Sequence, residues 1–172
     1  MHQLVADFQI HDLLRYMPCA SHIDCTYSYL LGPTREDLIR SETLAELFEQ
    51  TARRIPDKVA LIFGERSLSY GELDSLSERI ATHLKATGVG PGNIVGLWLP
   101  RGIELLIMQL GIARSGAAWL PFDTDTPADR IKVCLEDAEA VGLLTSAHFS
   151  LETDLDLPIW QAEFLLSATC QN

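Results

Sequence analysis

The sequence of 172 residues predicts an α/β fold in which a mainly parallel sheet carries helices on both faces, with one added β-hairpin. Three short apolar segments, residues 94–99, 116–123 and 140–144, alternate with stretches of helical periodicity. Strands separated by helices of about a dozen residues imply right-handed crossovers between parallel strands. Because this repetition places GAAWLPFD (116–123) between two similar units, we expect it to be an inner strand of the sheet.

Composition limits the classes of function. A hydrophobic content of 47% with 22% charged residues is typical of a globular protein. The net charge of -11 argues against a nucleic-acid partner, which requires clustered Lys and Arg. No apolar run in the sequence approaches the length of a membrane span. The beginning of the chain lacks the charged-then-apolar pattern of a secretion signal, so we expect a cytoplasmic location.

Residues 1–40 differ in character from the rest, and we expect a weakly structured leader with a short helix near residues 10–16. The spacing of Cys19, His22 and Cys25 resembles one half of a metal site. Structural zinc normally takes four ligands, and no second pair follows in the sequence. The sequence therefore predicts no metal ligand here.

Two capping boxes mark the starts of two helices. Thr43 and Glu46, and again Ser69 and Glu72, stand three residues apart before apolar residues at helical spacing. Between them, residues 59–63 are β-prone, 64–66 are turn-like, and the apolar pattern resumes at Leu68, which predicts a hairpin. The charged side chains of the second helix, Glu78 among them, are expected to face solvent.

The glycine-rich segment 88–92 follows a helix and precedes a strand. A phosphate-binding turn has the opposite order, because it aims a helix N-terminus at the anion. We therefore expect these glycines to terminate the helix in left-handed conformations. Thr145 and Ser146 end a strand and could contact a ligand, although a hydroxyl pair in this position is more often a simple turn.

A further helix is expected to begin with Thr126 as N-cap and Pro127 at the first position. Its inner face would include Cys134, which predicts a core thiol and not a nucleophile. The chain then closes with an extended segment at 157–160 and a short helix at 162–166.

Two longer motifs carry a family resemblance. LSYGEL (68–73) is similar to the motif L-[TS]-Y-x-E-L, and RSGAAWLPFD (114–123) is similar to K-A-G-x-A-Y-L-P-x-D, with Arg-Ser for Lys-Ala and Trp for Tyr. From about residue 41 to residue 145, the chain resembles the beginning of an adenylation domain of a non-ribosomal peptide synthetase, in the adenylate-forming, AMP-binding superfamily. The stretch from Leu30 onward resembles the polylysine-synthetase type, which links basic amino acids.

This resemblance implies that residues 41–172 form part of the N-terminal subdomain of the adenylate-forming fold and stop before its phosphate loop. In the family, that loop, the substrate pocket and the catalytic lysine come downstream. The resemblance thus implies no catalytic, cofactor-binding or metal-binding residue in this chain. ATP and Mg²⁺ are implied for the complete enzyme, with the rest of the domain and a carrier protein as partners. Alone, the chain is expected to be inactive and to self-associate through an uncovered sheet edge.

Two other functions remain open from the sequence. One is a non-catalytic remnant or a protein-interaction module, which the missing downstream motifs allow. The other is a flavodoxin-like nucleotide binder. This second alternative is the weaker one, because the turn DTDTP (123–127) after the middle strand is acidic and would repel phosphate.

Overall fold

The computed structural model describes residues 41–149 and 155–167, all of which belong to one compact unit within residues 41–172. The short helix expected near residues 10–16 and the spacing of Cys19, His22 and Cys25 lie outside the described residues.

Five helices and six strands are described. The helices are α1 (Leu44–Arg54), α2 (Tyr70–Ala86), α3 (Ile103–Ser115), α4 (Ala128–Asp137) and α5 (Ala162–Ser167). The strands are β1 (Val59–Phe63), β2 (Arg66–Ser69), β3 (Ile94–Trp98), β4 (Ala118–Phe122), β5 (Gly142–Thr145) and β6 (Ile159–Gln161). Strands β1 and β2 form an antiparallel hairpin, and the other four form a parallel sheet. The predicted fold class is confirmed.

Both predicted capping boxes are present. The Glu46 amide donates to the Thr43 hydroxyl at 3.3 Å, and the Glu46 carboxylate accepts the Thr43 amide at 2.6 Å. The Glu72 amide donates to the Ser69 hydroxyl at 3.2 Å, while the Glu72 carboxylate accepts the Ser69 amide at 2.8 Å. Each box satisfies amides that a helix start would otherwise leave without partners.

The strand order is β4-β3-β5-β6, so β4 is an outer strand of the described sheet and the expectation of an inner strand is wrong. The Ala118 amide donates to the Asn93 carbonyl beside β3 at 2.9 Å. Since backbone groups alternate in direction along a strand, the backbone at Trp119 and Pro121 faces away from β3. Pro121 therefore has no amide hydrogen on the side of β4 that pairs with no other strand among the described residues, the position in which a sheet tolerates proline.

The sheet buries a different set of side chains on each face. On one face Val95 and Leu97 pack with helices α2 and α3, in a core that includes Ile80, Leu84, Ile107, Met108 and Ile112. On the other face Trp98 and Leu143 pack with Ile131 and Leu135 of α4. The alternation along β3 follows from the two-residue period of a strand. Helices thus cover both faces, as predicted.

Helix α4 begins one residue later than predicted. Pro127, not Thr126, is its N-cap, because Pro127 has extended backbone angles and its carbonyl accepts the Ile131 amide at 3.1 Å. The start of α4 has no side-chain capping bond, and the Thr126 amide donates to the Asp123 carbonyl in the preceding turn. Cys134 is only partly buried, so the prediction of a core thiol is wrong in degree.

The glycine-rich segment behaves as expected for a helix end. Gly88 and Gly92 have φ of +90° and +85°, values that L-residues with side chains rarely adopt. The Val89 amide donates back to the Leu84 carbonyl of α2 at 2.9 Å and satisfies a carbonyl at the helix end. None of the described helices is long and apolar enough to cross a membrane.

Candidate functional site

Between β3 and β4 the connections of the parallel sheet switch from one face of the sheet to the other. Helix α3 follows β3 on one face of the sheet, and helix α4 follows β4 on the opposite face. The loops after these two neighbouring strands therefore diverge and leave a crevice at their carboxyl ends. Crevices of this kind are where open α/β sheets bind ligands.

A cavity of about 430 Å³ occupies this crevice. Its apolar lining comes from the ends of β3 and β4 and from α3: Leu99, Pro100, Leu105, Pro121 and Phe122. Its polar lining is Arg101, Gln109, Asp123 and Thr124. A guanidinium, an amide, a carboxylate and a hydroxyl on an apolar floor form a mixed surface typical of small-molecule sites.

The side chain of Trp98 links the crevice to the face of the sheet that α4 covers. Its indole N–H donates to the Asp123 carbonyl at 3.0 Å, and its ring stacks on Phe149 with centroids 4.5 Å apart. Trp98 is buried, and Phe149 belongs to the loop that follows β5. The carboxyl ends of β3, β4 and β5 are thus joined through one aromatic side chain.

Glu163, in the first turn of α5, holds the loop after β5. Its carboxylate accepts hydrogen bonds from the Ser146 hydroxyl and from the Ala147 amide, the latter at 3.0 Å. Partial burial raises the pKa of the Glu163 carboxyl, but these hydrogen bonds outweigh it, so the pKa lies below its ordinary value. Ser146 therefore builds a turn. The neighbouring Thr145 hydroxyl is buried without a hydrogen-bond partner in the described part of the chain.

A cluster of charges joins the first three helices. The buried guanidinium of Arg114 on α3 lies 2.6 Å from Glu78, 2.7 Å from Asp74 and 3.3 Å from Glu49. Glu78 and Asp74 lie on α2, and Glu49 lies on α1. The Glu78 side chain is 53% exposed, as expected for a charged residue on the outer side of α2, and its carboxylate also pairs with Arg114 in this cluster. The cluster fixes helices and does not face the crevice lining.

The two sequence motifs have different places in the structure. The first, residues 68–73, spans the junction of β2 and α2, where Tyr70 lies 6.1 Å from the Phe48 ring. The second, residues 114–123, runs from Arg114 through β4 to Asp123 and lines the crevice with its last three residues.

Sequence reasoning singled out no residue of the crevice for ligand contact. Arg101 follows the last residue of the buried strand β3 by three positions, and this was the available signal, because polar residues near the carboxyl ends of parallel strands are commonly functional. Gln109 carries no such signal, since it lies within α3 and reaches the crevice only through the packing of that helix. Within residues 41–149 and 155–167, no group of three or more His, Cys, Asp or Glu side chains could hold a metal ion.

The family model described as AMP-binding enzyme matches residues 48–167. The chain therefore belongs to the AMP-binding enzyme family. Within that family it corresponds to an N-terminal part of a non-ribosomal peptide synthetase adenylation domain, which confirms the resemblance of the two motifs.

Curated relatives are much longer than this chain. It is 58% identical over 121 residues to a delta-poly-L-ornithine synthetase of Acinetobacter baumannii, covering 70% of this chain and 9% of that protein. It is 37% identical over 130 residues to bacitracin synthase 1 of Bacillus licheniformis, covering 76% of this chain and 2% of that protein. The chain thus spans less than a tenth of each of these two relatives.

Solved structures agree with the fold. The N-terminal subdomain of NpsA from Klebsiella oxytoca matches with a TM-score of 0.67 and 27% identity, over 75% of this chain and 34% of that one. The non-ribosomal peptide synthetase FmoA3, in a form bound to alpha-methyl-L-serine-AMP, matches with a TM-score of 0.68 and 32% identity, over 72% of this chain and 14% of that one.

Proposed function

We propose that this chain supplies the N-terminal part of an adenylation domain that activates an amino acid with ATP. Family membership over residues 48–167 is the observation that carries the proposal. The crevice between β3 and β4 supports it. A cavity with mixed polar and apolar lining suits a small-molecule ligand when it lies at the point where the connections of a parallel sheet switch faces. The cytoplasmic location expected from the sequence is part of the same proposal.

In the complete enzyme, a carboxylate oxygen of the amino acid would attack the α-phosphorus of ATP. Pyrophosphate would leave with the electrons of the broken phosphoanhydride bond, and an aminoacyl-AMP would remain. A carrier-protein thiol would then attack the acyl carbon and displace AMP. Such a reaction depends on holding the two reacting groups in line and on balancing the developing charge.

Mg²⁺ is usually held in proteins by one or two carboxylates together with substrate phosphates and waters, so the complete enzyme would hold it jointly with bound ATP. Arg101 and Asp123 bring opposite charges to the crevice, and Leu105 and Phe122 give it an apolar wall. We propose that these residues form one side of the space in which substrates are arranged, and that the chain alone catalyses no adenylation.

We further propose that the substrate is a basic amino acid such as ornithine or lysine. The support is the 58% identity to the delta-poly-L-ornithine synthetase, compared with 37% to bacitracin synthase 1. In a native protein that continues beyond this chain, ornithine or lysine should stimulate ATP–pyrophosphate exchange and leucine should not. Stimulation by leucine alone would overturn the assignment of substrate class.

A chimaera tests the main proposal. The matching segment of the delta-poly-L-ornithine synthetase is replaced by this chain, and ornithine-dependent ATP–pyrophosphate exchange is measured. We expect exchange in the chimaera and none in the isolated chain. A matched control carries Gly96→Val, because even a Cβ at this position would lie 2.5 Å from Leu135, and this control should lose exchange.

A chimaera that folds and shows no exchange would contradict the proposal. It would favour the alternative that the chain is a non-catalytic remnant or a protein-interaction module. Exchange by the isolated chain would contradict the proposal in the other direction, since the catalytic groups would then lie within these residues.

A further inference from the structure

We infer that Glu163 is a positioning residue for the crevice, acting through the turn after β5 and through Trp98. The inference rests on the proposed function, because it takes the crevice between β3 and β4 as the site. Glu163 does not line the crevice itself. A chain of direct contacts leads from its carboxylate to the crevice wall.

The first step of this chain is the turn from Ser146 to Phe149. Glu163 accepts hydrogen bonds from the Ser146 hydroxyl and the Ala147 amide. The Ser146 hydroxyl oxygen in turn accepts the His148 amide at 3.3 Å, and the Ser146 carbonyl accepts the Phe149 amide at 3.0 Å. One carboxylate thus orders four consecutive residues, the last of which is Phe149.

The second step is the aromatic stack. The ring centroids of Phe149 and Trp98 lie 4.5 Å apart at an interplanar angle of 18°, so the two rings are stacked at a distance within the favourable range. Phe149 also packs against the core cluster of Trp98, Ile131, Leu135 and Leu143. The position of the turn therefore determines what lies against one face of the Trp98 ring.

The third step reaches the crevice. The Trp98 indole N–H donates to the Asp123 carbonyl at 3.0 Å. Asp123 and its neighbours Phe122 and Thr124 line the crevice. A displacement of the Trp98 ring would lengthen this hydrogen bond, and the backbone of Asp123 after β4 would then lose the contact that holds it in place.

A carboxylate suits this task because it accepts two hydrogen bonds at once and needs no donor of its own. Glu72 is a matched case elsewhere in the chain, since it also accepts a backbone amide within the first turn of a helix. Glu72 caps α2 and has no contact path to Trp98 among the hydrogen bonds and ring contacts of the described residues. A comparison of variants at Glu72 and Glu163 therefore distinguishes a local structural role, that of Glu72, from the positioning role inferred for Glu163.

The experiment follows the indole N–H signal of Trp98 by ¹H–¹⁵N NMR of the 172-residue chain. Three tryptophans give three indole signals, and Trp98→Phe identifies the one of interest. We expect Glu163→Ala to shift this signal and to speed its exchange with solvent by roughly tenfold. Glu163→Gln should restore most of the native signal, because its amide oxygen still accepts the Ala147 amide.

Glu72→Ala should lower stability and leave the Trp98 signal unchanged. A native Trp98 signal in a folded Glu163→Ala chain would overturn the inference, since Glu163 would then act only on stability. Should Glu163→Ala fail to fold, Ser146→Ala takes its place. That variant removes one donor to Glu163, and an unshifted Trp98 signal in it would equally overturn the inference.

A second readout uses the ornithine synthetase chimaera. Glu163→Ala is expected to raise KM for ATP or ornithine by roughly tenfold while the chain stays folded, with rescue by Glu163→Gln. An unchanged KM in a folded variant would count against the inference. If the chimaera shows no exchange at all, the proposed function fails, and the Trp98 signal still decides the positioning role.

Discussion

The Nη2 atom of Arg114 lies 2.6 Å from a carboxylate oxygen of Glu78, and this ion pair ties the end of α3 to the middle of α2. The side chain of Arg114 is 7% exposed, whereas that of Glu78 is 53% exposed. The cation is therefore buried and its partner reaches water. Asp74 and Glu49 complete the surroundings of the guanidinium at 2.7 and 3.3 Å.

We expect Arg114→Met to lower the free energy of unfolding by about 2–4 kcal/mol. The variant would leave three carboxylates close together without their cation, and partial exposure to water would soften the penalty. Arg114→Lys should cost about 1–2 kcal/mol, because an ammonium cannot reproduce the planar fork of a guanidinium. Urea denaturation followed by circular dichroism measures both.

The control for Arg114 is Arg53→Met. Arg53 pairs with the same Glu49 at 3.4 Å, but its side chain is 79% exposed. This change should cost less than about 0.5 kcal/mol. Equal losses in the free energy of unfolding for Arg114→Met and Arg53→Met would show that burial of the Arg114 guanidinium contributes nothing to stability.

Gly111 lies on α3 where that helix approaches α2 closely. A Cβ at Gly111 would lie 2.5 Å from Cγ2 of Ile80. We expect Gly111→Ala to lower the free energy of unfolding by about 1–3 kcal/mol through this clash. Helix propensity alone would predict that Gly111→Ala raises the free energy of unfolding by about 1 kcal/mol. The sign of the measured change therefore shows whether the clash with Ile80 or helix propensity dominates.

Gly90→Ala is the matched control for Gly111→Ala, because the atom nearest to a Cβ added at Gly90, the Ser115 carbonyl oxygen, would lie 4.0 Å away. Thermal and urea unfolding should show little change for this variant. A stabilised Gly111→Ala chain would mean that α2 can move away from α3 at low cost.

The pKa of the Glu163 carboxyl lies below its ordinary value in the folded chain, with hydrogen bonds from Ser146 and Ala147 outweighing the opposing effect of burial. A depressed folded pKa contributes stability above the unfolded pKa, and this contribution is lost as pH falls through the folded pKa. The nearby His148 also lowers the pKa of Glu163. We therefore expect the stability difference between the native chain and Glu163→Gln to shrink on acidification.

Free energies of unfolding measured from about pH 7 to about pH 3 test this pH dependence. Glu46 and Glu72 also have lowered pKa values through bonds from Thr43 and Ser69, and both variants of the comparison retain them. Their contributions cancel in the difference. A stability difference that stays constant over this range would contradict the role of the Glu163 carboxylate.

Pro121 has no amide hydrogen to donate on the side of β4 that faces away from β3. We expect Pro121→Val to increase self-association of the chain, because it supplies a donor to an edge that another strand could then use. Sedimentation velocity at several concentrations measures the effect. Leu120→Val is the control, since the Leu120 amide faces β3 and the outer edge stays as it was.

The self-association expected of the native chain is tested by the same sedimentation experiment. Ile62, Phe63 and Phe164 are large apolar side chains with exposed fractions of 75%, 54% and 63%. Such exposure favours association at high concentration. A monomer at every concentration, for the native chain and for Pro121→Val alike, would contradict both expectations.

Local patterns predicted the features that depend on neighbours in sequence. The capping boxes of Thr43 and Ser69 involve residues three positions apart, and both are present. The hairpin at β1 and β2 and the left-handed Gly88 have equally local causes. The first residue of α4 was missed by one position, which is the usual uncertainty of a helix end.

Features that depend on distant residues were not predicted. Arg114 and Asp74 are 40 positions apart, and only the packing of α2 on α3 brings them together. The contact of Ser146 with Glu163 likewise requires α5 to lie beside the end of β5. Pro121 did carry a signal that β4 is an outer strand, but the apolar character of GAAWLPFD concealed it.

The strand order β4-β3-β5-β6 bears on how the sheet can assemble during synthesis. Strand β3 is the first of the four to leave the ribosome, and it ends in the interior of the sheet. Strand β4 then docks on one side of β3, β5 on the other side, and β6 on β5. Each new strand joins an edge that already exists, so the sheet can grow outward from its oldest member without any pair of strands having to separate.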